Sequence, residues 1–174
     1  MMTARMDDDL LLERQLCFAL SVASRSVVGA YRPVLDDLGL THPQYLVMLS
    51  LWEESPRTVR NIGRALAMES ATLSPMLKRL EALGLLTRTR VPGNERALAV
   101  ELTTAGRDLR SRAVDVPGTM MKRLGLTRDQ VDALNEAMHA IIRATGTELP
   151  SSPADQARTN LRPDASMTHE RNRS

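Results

Sequence analysis

Two groups of residues in this chain have types and spacings that can do chemistry. The first is a single thiol, Cys17, set in the apolar run QLCFAL. A lone cysteine on the apolar side of a helix is either a small inert hydrophobe or a redox sensor. The second role needs exposure and a donor that stabilises the thiolate. Tyr31 can be that donor only from another chain or a folded-back segment, because fourteen residues of one helix separate the two by roughly 21 Å. The second group is basic. Lys78, Arg79, Arg88, Arg90 and Arg96 are five cations set against Glu81 and Glu95. Just upstream lie Ser70, Thr72, Ser74 and Pro75. Small hydroxyl side chains suit base edges in a DNA groove, and the cations suit phosphates or guanines.

The elements that must hold these residues follow from periodicity. Ile62 and Leu66 predict a short helix from Thr58 to Ala67. Leu73, Leu77 and Leu80 predict a second helix, with Ser70 as N-cap, ending at Leu83 before a capping Gly84. Two alternating segments then flank Val91-Pro92-Gly93-Asn94, and Leu98, Val100 and Leu102 share one face of the second. Helix, turn, helix and basic hairpin describe a winged helix-turn-helix, whose second helix enters the major groove. A helical hairpin beside a ribbon, with the cations merely solvated, is the plainer alternative.

Around this reader the chain is helical. Asp7 to Asp9 suit the first turn of a long helix reaching Tyr31, with Leu10, Leu16, Cys17, Leu20, Ser24, Val27 and Val28 along one side. Homodimerisation is the simplest way to bury that stripe, the alternative being cover from the C-terminal helices of the same chain. Pro33 is expected to open a separate short turn closed by Gly39. Thr41 then caps a helix through Trp52, with Leu46 and Leu49 facing inward and Pro43 in its first turn. A helix from Thr103 or Thr104 breaks near Pro117, and Thr127 with Gln130 caps a last one to Ala144, where Val131, Leu134, Met138 and Ile141 share a face.

The expected organisation is therefore a mainly α protein. Residues 1–9 form an extension and residues 10–146 the domain, with dimerisation helices at 10–31 and 104–146 flanking a winged helix-turn-helix at 43–102. Residues 147–174 lack periodicity and form a disordered tail. An apolar fraction of 43% supports a core, but aromatics supply only 2%, so Leu, Val, Ala and Met must fill it. No apolar run is long enough to span a membrane, and the three Asp near the N-terminus do not fit a secretory signal, which points to the cytoplasm. A single cysteine excludes an intramolecular disulfide and argues against a protein-only metal site. No cofactor is called for.

QLCFAL (15–20), YRPVLDDLGLTHPQYLVMLSLWE (31–53), TLSPMLKRLEALGLLTR (72–88), ERALAVELT (95–103) and VDVPGT (114–119) together resemble the MarR family of winged-helix repressors, in its organic-hydroperoxide-sensing, one-cysteine branch. The likeness spans residues 10 to 143. It implies a homodimer on a palindromic double-stranded operator, released when organic hydroperoxide oxidises Cys17, with a low-molecular-weight thiol able to cap the oxidised sulfur. It also implies that Tyr31 contacts the sulfur across the dimer, and that Glu95 and Arg96 hold the wing. The chain departs from the branch in four places. His42 stands in THPQY where a second sulfur-contacting tyrosine is usual, Ser21 replaces another tyrosine, Asn94 replaces an acid, and MES (68–70) replaces leucine-aspartate-serine. A regulator released by a small aromatic or apolar acid, with Cys17 structural, is the alternative. An enzyme such as a thiol peroxidase would need a resolving route, and no second Cys is present.

Overall fold

The computed structural model describes residues 10–91 and 94–147, without the side chains of residues 91 and 94–97. A 3-10 turn, Leu12–Arg14, leads into helix α1, Leu16–Asp36. There follow α2 (His42–Glu53), strand β1 (Arg57–Thr58), α3 (Val59–Leu66) and α4 (Ser70–Ala82). Strands β2 (Leu86–Val91) and β3 (Asn94–Leu102) precede α5 (Thr104–Ala113), α6 (Val116–Leu124) and α7 (Arg128–Ala144). The strands form one antiparallel sheet in the order β1-β3-β2, with Arg57 opposite Val100 and Leu86 opposite Leu102.

The core gathers beneath the reader. Leu35, Val47, Met48, Ile62, Leu73, Leu80 and Val100 are all fully buried. Burying side chains of this size contributes about 1.5–3 kcal/mol each, which fixes α3 and α4 against α2 and the sheet. Trp52 adds a polar tie, its indole N–H donating to the Gly106 carbonyl at 2.9 Å and joining α2 to α5.

Several expectations change. The first helix does not run from the aspartates to Tyr31. Gln15 is extended, so α1 starts at Leu16, and residues 1–9 lie outside the described residues. Pro33 opens no separate turn, since α1 passes through it to Asp36. Buried Leu35 anchors that last turn against α2, which holds the helical conformation despite the absent N–H. On α2 the inward residues are Tyr45, Val47, Met48 and Leu51, while Leu46 is half-buried and Leu49 is exposed. Glu69, not Ser70, occupies the N-cap of α4, and Ser70 is its first helical residue. Leu98, expected on the inward face with Val100 and Leu102, is exposed where the ribbon leaves the body.

Other local signals hold. Thr41 with Gln44 and Thr127 with Gln130 form capping boxes. Pro117 lies in the first turn of α6, at the break after α5. Gly84 takes a φ of +73°, with Leu85 N–H returning to the Leu80 carbonyl at 3.0 Å, which closes α4 and turns the chain into β2.

Candidate redox site and nucleic-acid interface

Cys17 is exposed in the first turn of α1, as its second residue. Leu16 and Phe18 beside it, and Val22 and Val28 further along α1, are exposed as well, and α7 carries no buried residue at all. Among the described residues α6 packs against α1, and these apolar side chains stay exposed. At the far end of α1 the half-buried Tyr31 ring meets His42 edge-on, with centroids 5.1 Å apart, and Tyr45 at 6.1 Å. Burial pushes the phenol of Tyr31 up and the imidazole of His42 down. Both changes favour the neutral forms, so around neutral pH each ring offers a hydrogen-bond donor and no charge. Tyr31 and His42 are thus brought together, whereas Cys17 of the same chain stays roughly 21 Å away along the helix axis.

Tyr45 continues the cluster to Trp52, with ring centroids 6.3 Å apart. These two rings, with Leu49, Ala113, Val114, Pro117, Glu53 and Arg110, line an open groove of about 270 Å³ between α2 and the α5–α6 junction.

The reader presents Ser70, Thr72, Ser74, Pro75, Lys78 and Arg79 on the exposed side of α4, opposite buried Leu73, Leu77 and Leu80. Ser74 donates its hydroxyl to the Ser70 carbonyl at 2.9 Å, which leaves only its oxygen lone pairs for a base. Pro75 sits within α4 without breaking it. Arg90 is exposed on β2, while the side chains of Glu95 and Arg96 lie outside those described.

Arg88 is engaged within the chain. It was expected among the phosphate contacts, but its guanidinium is bound to Glu81 at 2.6 and 3.0 Å, and its backbone N–H reaches the same carboxylate at 3.1 Å. The side-chain bond from Arg88 holds the Glu81 carboxyl below its usual range. This pair fastens the end of the recognition helix to the first wing strand, so a phosphate would have to share the Arg88 guanidinium with Glu81.

Residues 40–98, from the approach to α2 to the middle of β3, match the MarR family model. The chain is also 44% identical over 134 residues to the organic hydroperoxide resistance transcriptional regulator of Bacillus subtilis (strain 168), covering 77% of this chain and 89% of that protein. The chain belongs to the MarR family. It is a transcriptional regulator of that family, and its three-stranded sheet and flanking helices are the MarR winged helix-turn-helix. Solved structures that share this MarR fold include two bound to DNA. AbfR of Staphylococcus epidermidis, in its reduced DNA-bound form, is 34% identical with a TM-score of 0.67, covering 83% of this chain and 99% of that one. CouR of Rhodococcus jostii RHA1, bound to a 23-mer DNA duplex, is 31% identical with a TM-score of 0.70, covering 76% and 96%.

Three features of this MarR fold carry no signal in the sequence. One is β1, whose two residues carry no readable period. Another is the tie of Glu81 to Arg88, which depends on the angle between α4 and β2. The third is the ring of Tyr45, on the side of α2 that faces Tyr31.

Proposed function

We propose that this chain is a homodimeric, DNA-binding repressor that leaves a palindromic operator when an organic hydroperoxide oxidises Cys17. The supporting observation is the division of the sensing residues. Tyr31 and His42 meet at one end of α1 while their own Cys17 stands exposed at the other, so each site is completed by the sulfur of a second copy. The uncovered apolar residues of α1 and α7 are the surface that brings that copy in. The Bacillus subtilis relative, a hydroperoxide-resistance regulator by name, favours the same reading.

The chemistry is a two-electron oxidation. The Cys17 thiolate attacks the distal oxygen of the hydroperoxide, an S–O bond forms and the O–O bond breaks. The departing alkoxide takes a proton and leaves as an alcohol. The sulfenic acid then condenses with a small thiol, releasing water, or is oxidised further. Tyr31 and His42 donate to the thiolate, and the exposed apolar face of α1 favours an organic peroxide. Ser70, Thr72, Ser74 and Pro75 approach base edges, Lys78, Arg79, Arg90 and Arg96 supply charge, and Glu95 with Arg96 sets the wing. The protein works in the cytoplasm on half-sites about one helical turn, roughly 34–36 Å, apart. Formation of the sulfenic acid consumes one equivalent of peroxide per Cys17, further oxidation consumes more, and the protein does not turn over as an enzyme.

The test is a gel shift with cumene hydroperoxide. Cys17→Ser should bind DNA as the wild type does and ignore the oxidant. If the serine variant releases DNA on oxidant as readily, the sensor reading is wrong. The groove beside Tyr45 and Trp52, with Arg110 at its edge, favours the second reading, release by a small aromatic or apolar acid. Release of the serine variant by such an acid, with no response of the wild type to peroxide, would support it.

A further inference from the structure

We infer that α3 carries a second DNA-contacting surface, in which Arg60 and Arg64 bind phosphates and Arg57 masks two carboxylates that would otherwise oppose them. This rests on the DNA-binding reading above and adds residues that reading does not use.

Arg60 and Arg64 are one turn apart on the exposed side of α3, with the exposed Asn61 flanking them. Ile62 and Gly63 fill the opposite, buried side. The helix contains no acidic residue. Among the described residues neither arginine makes an ion pair, nor do Lys78, Arg79 or Arg90. Five unpaired cations therefore occupy α3, α4 and β2. The acids closest in sequence are accounted for differently. Glu81 is bound to Arg88. Glu53 and Glu54, at the end of α2, are both engaged by Arg57, at 3.6 and 2.9 Å. Arg57 also donates to the buried Ser50 hydroxyl at 2.8 Å, and its own side chain is only 13% exposed, so it is held as a structural counter-ion. Among the described residues of the reader, Glu69, at the start of α4, and Glu101, on β3, stay exposed without an ion pair.

α3 and α4 are locked together by close packing, since a Cβ on Gly63 would lie 2.8 Å from the Met68 carbonyl and 3.3 Å from Leu73. When the second helix of such a pair lies in the major groove, the first crosses the phosphate backbone. The side of α3 turned away from the core carries Arg60 and Arg64. Their chemistry suits phosphates, which position the protein without reading sequence.

The experiment uses the full-length protein and duplexes selected by the wild type from a random-sequence pool, with an unrelated duplex of equal length as control. Arg60→Gln, Arg64→Gln and the double variant are titrated across salt. Each phosphate contact contributes about 0.9 to the slope of log affinity against log salt, so each substitution, present twice in a dimer, should lower the slope by about 1.8. The loss of affinity between about 50 and 200 mM salt should then be roughly tenfold smaller than for the wild type. The weakening should be equal on selected and unrelated duplexes, and the Lys variants should recover most of it. Arg57→Gln should weaken both duplexes too, by unmasking Glu53 and Glu54, and the triple change with Glu53→Gln and Glu54→Gln should restore binding. Unchanged slopes, with thermal melting as in the wild type, would overturn the proposal. Loss confined to the selected duplex would overturn it as well, by making the arginines base readers. A wild type that selects no DNA would sink the DNA-binding reading itself.

Discussion

Gly106 opens α5 directly under the turn from α4 into the wing, and Gly106→Ala is expected to unseat the reader. A Cβ there would lie 1.9 Å from the Leu85 carbonyl oxygen and 3.0 Å from its carbon, with Leu102 at 3.2 Å on the other side. The obstructing group is backbone, so no rotamer relieves it. The same Leu85 oxygen accepts the Thr103 N–H at 3.1 Å, and the Gly106 carbonyl accepts the Trp52 indole at 2.9 Å. Moving either strand of chain breaks one of these bonds. Overpacking of this kind costs about 1–3 kcal/mol, and one lost hydrogen bond adds about 1. The sum, roughly 3 kcal/mol, corresponds to a fall in melting temperature of about 10 °C for a chain this size. Gly118→Ala is the control, since nothing lies within 4 Å of its added Cβ and it sits inside α6. It should gain up to about 1 kcal/mol. Both are measured by thermal melting at one fixed protein concentration, because a dimer's stability depends on it. If Gly106→Ala melted within about 2 °C of the wild type, the steric argument would be refuted.

Three further outcomes are expected. Ala67 holds a left-handed φ of +50° in the turn between α3 and α4, so Ala67→Gly should keep DNA affinity and raise stability by up to about 1 kcal/mol, seen in denaturant midpoints. His42→Phe should slow alkylation of Cys17 near neutral pH by about tenfold, the worth of one hydrogen bond to a charged sulfur, and leave reduced-state DNA affinity unchanged. Tyr31→Phe should act alike and non-additively, whereas superimposable rate profiles would remove His42 from the site. Glu81 is held below its usual value near 4.5 by Arg88, so its contribution to stability is present above that value and lost as pH falls through the lowered one. Wild type and Glu81→Gln should therefore differ in stability at pH 7 and converge in strong acid, read by denaturant titration at several pH values.

The reader was legible because its signals are local. Leu73, Leu77 and Leu80 recur at helical spacing, and Gly84 and Pro117 stop helices for reasons that need no tertiary context. Position across the fold was not legible. Pro33 reads as a break until Leu35 is known to be fully buried beneath it. Leu49 reads as core because periodicity cannot say that α2 turns that side to an open groove. Arg88 reads as one more cation of the wing until the fold sets it against Glu81. The pairing of His42 with Tyr31 came from motif likeness, and only the angle between α1 and α2 brings the rings within 5.1 Å.

Trp52 is the chain's one tryptophan, and it stands at a seam. Its indole N–H bridges to α5, its ring touches Tyr45, and one side lines the groove. The protein therefore carries an intrinsic fluorophore at the joint between the reader and the helices beneath it. Loosening of that joint would wet the indole and shift its emission to the red. An occupant of the groove would quench it or shift it to the blue. A spectrum recorded during oxidation, beside one recorded with an apolar acid, would separate the two modes of release optically, in one cuvette and without a label.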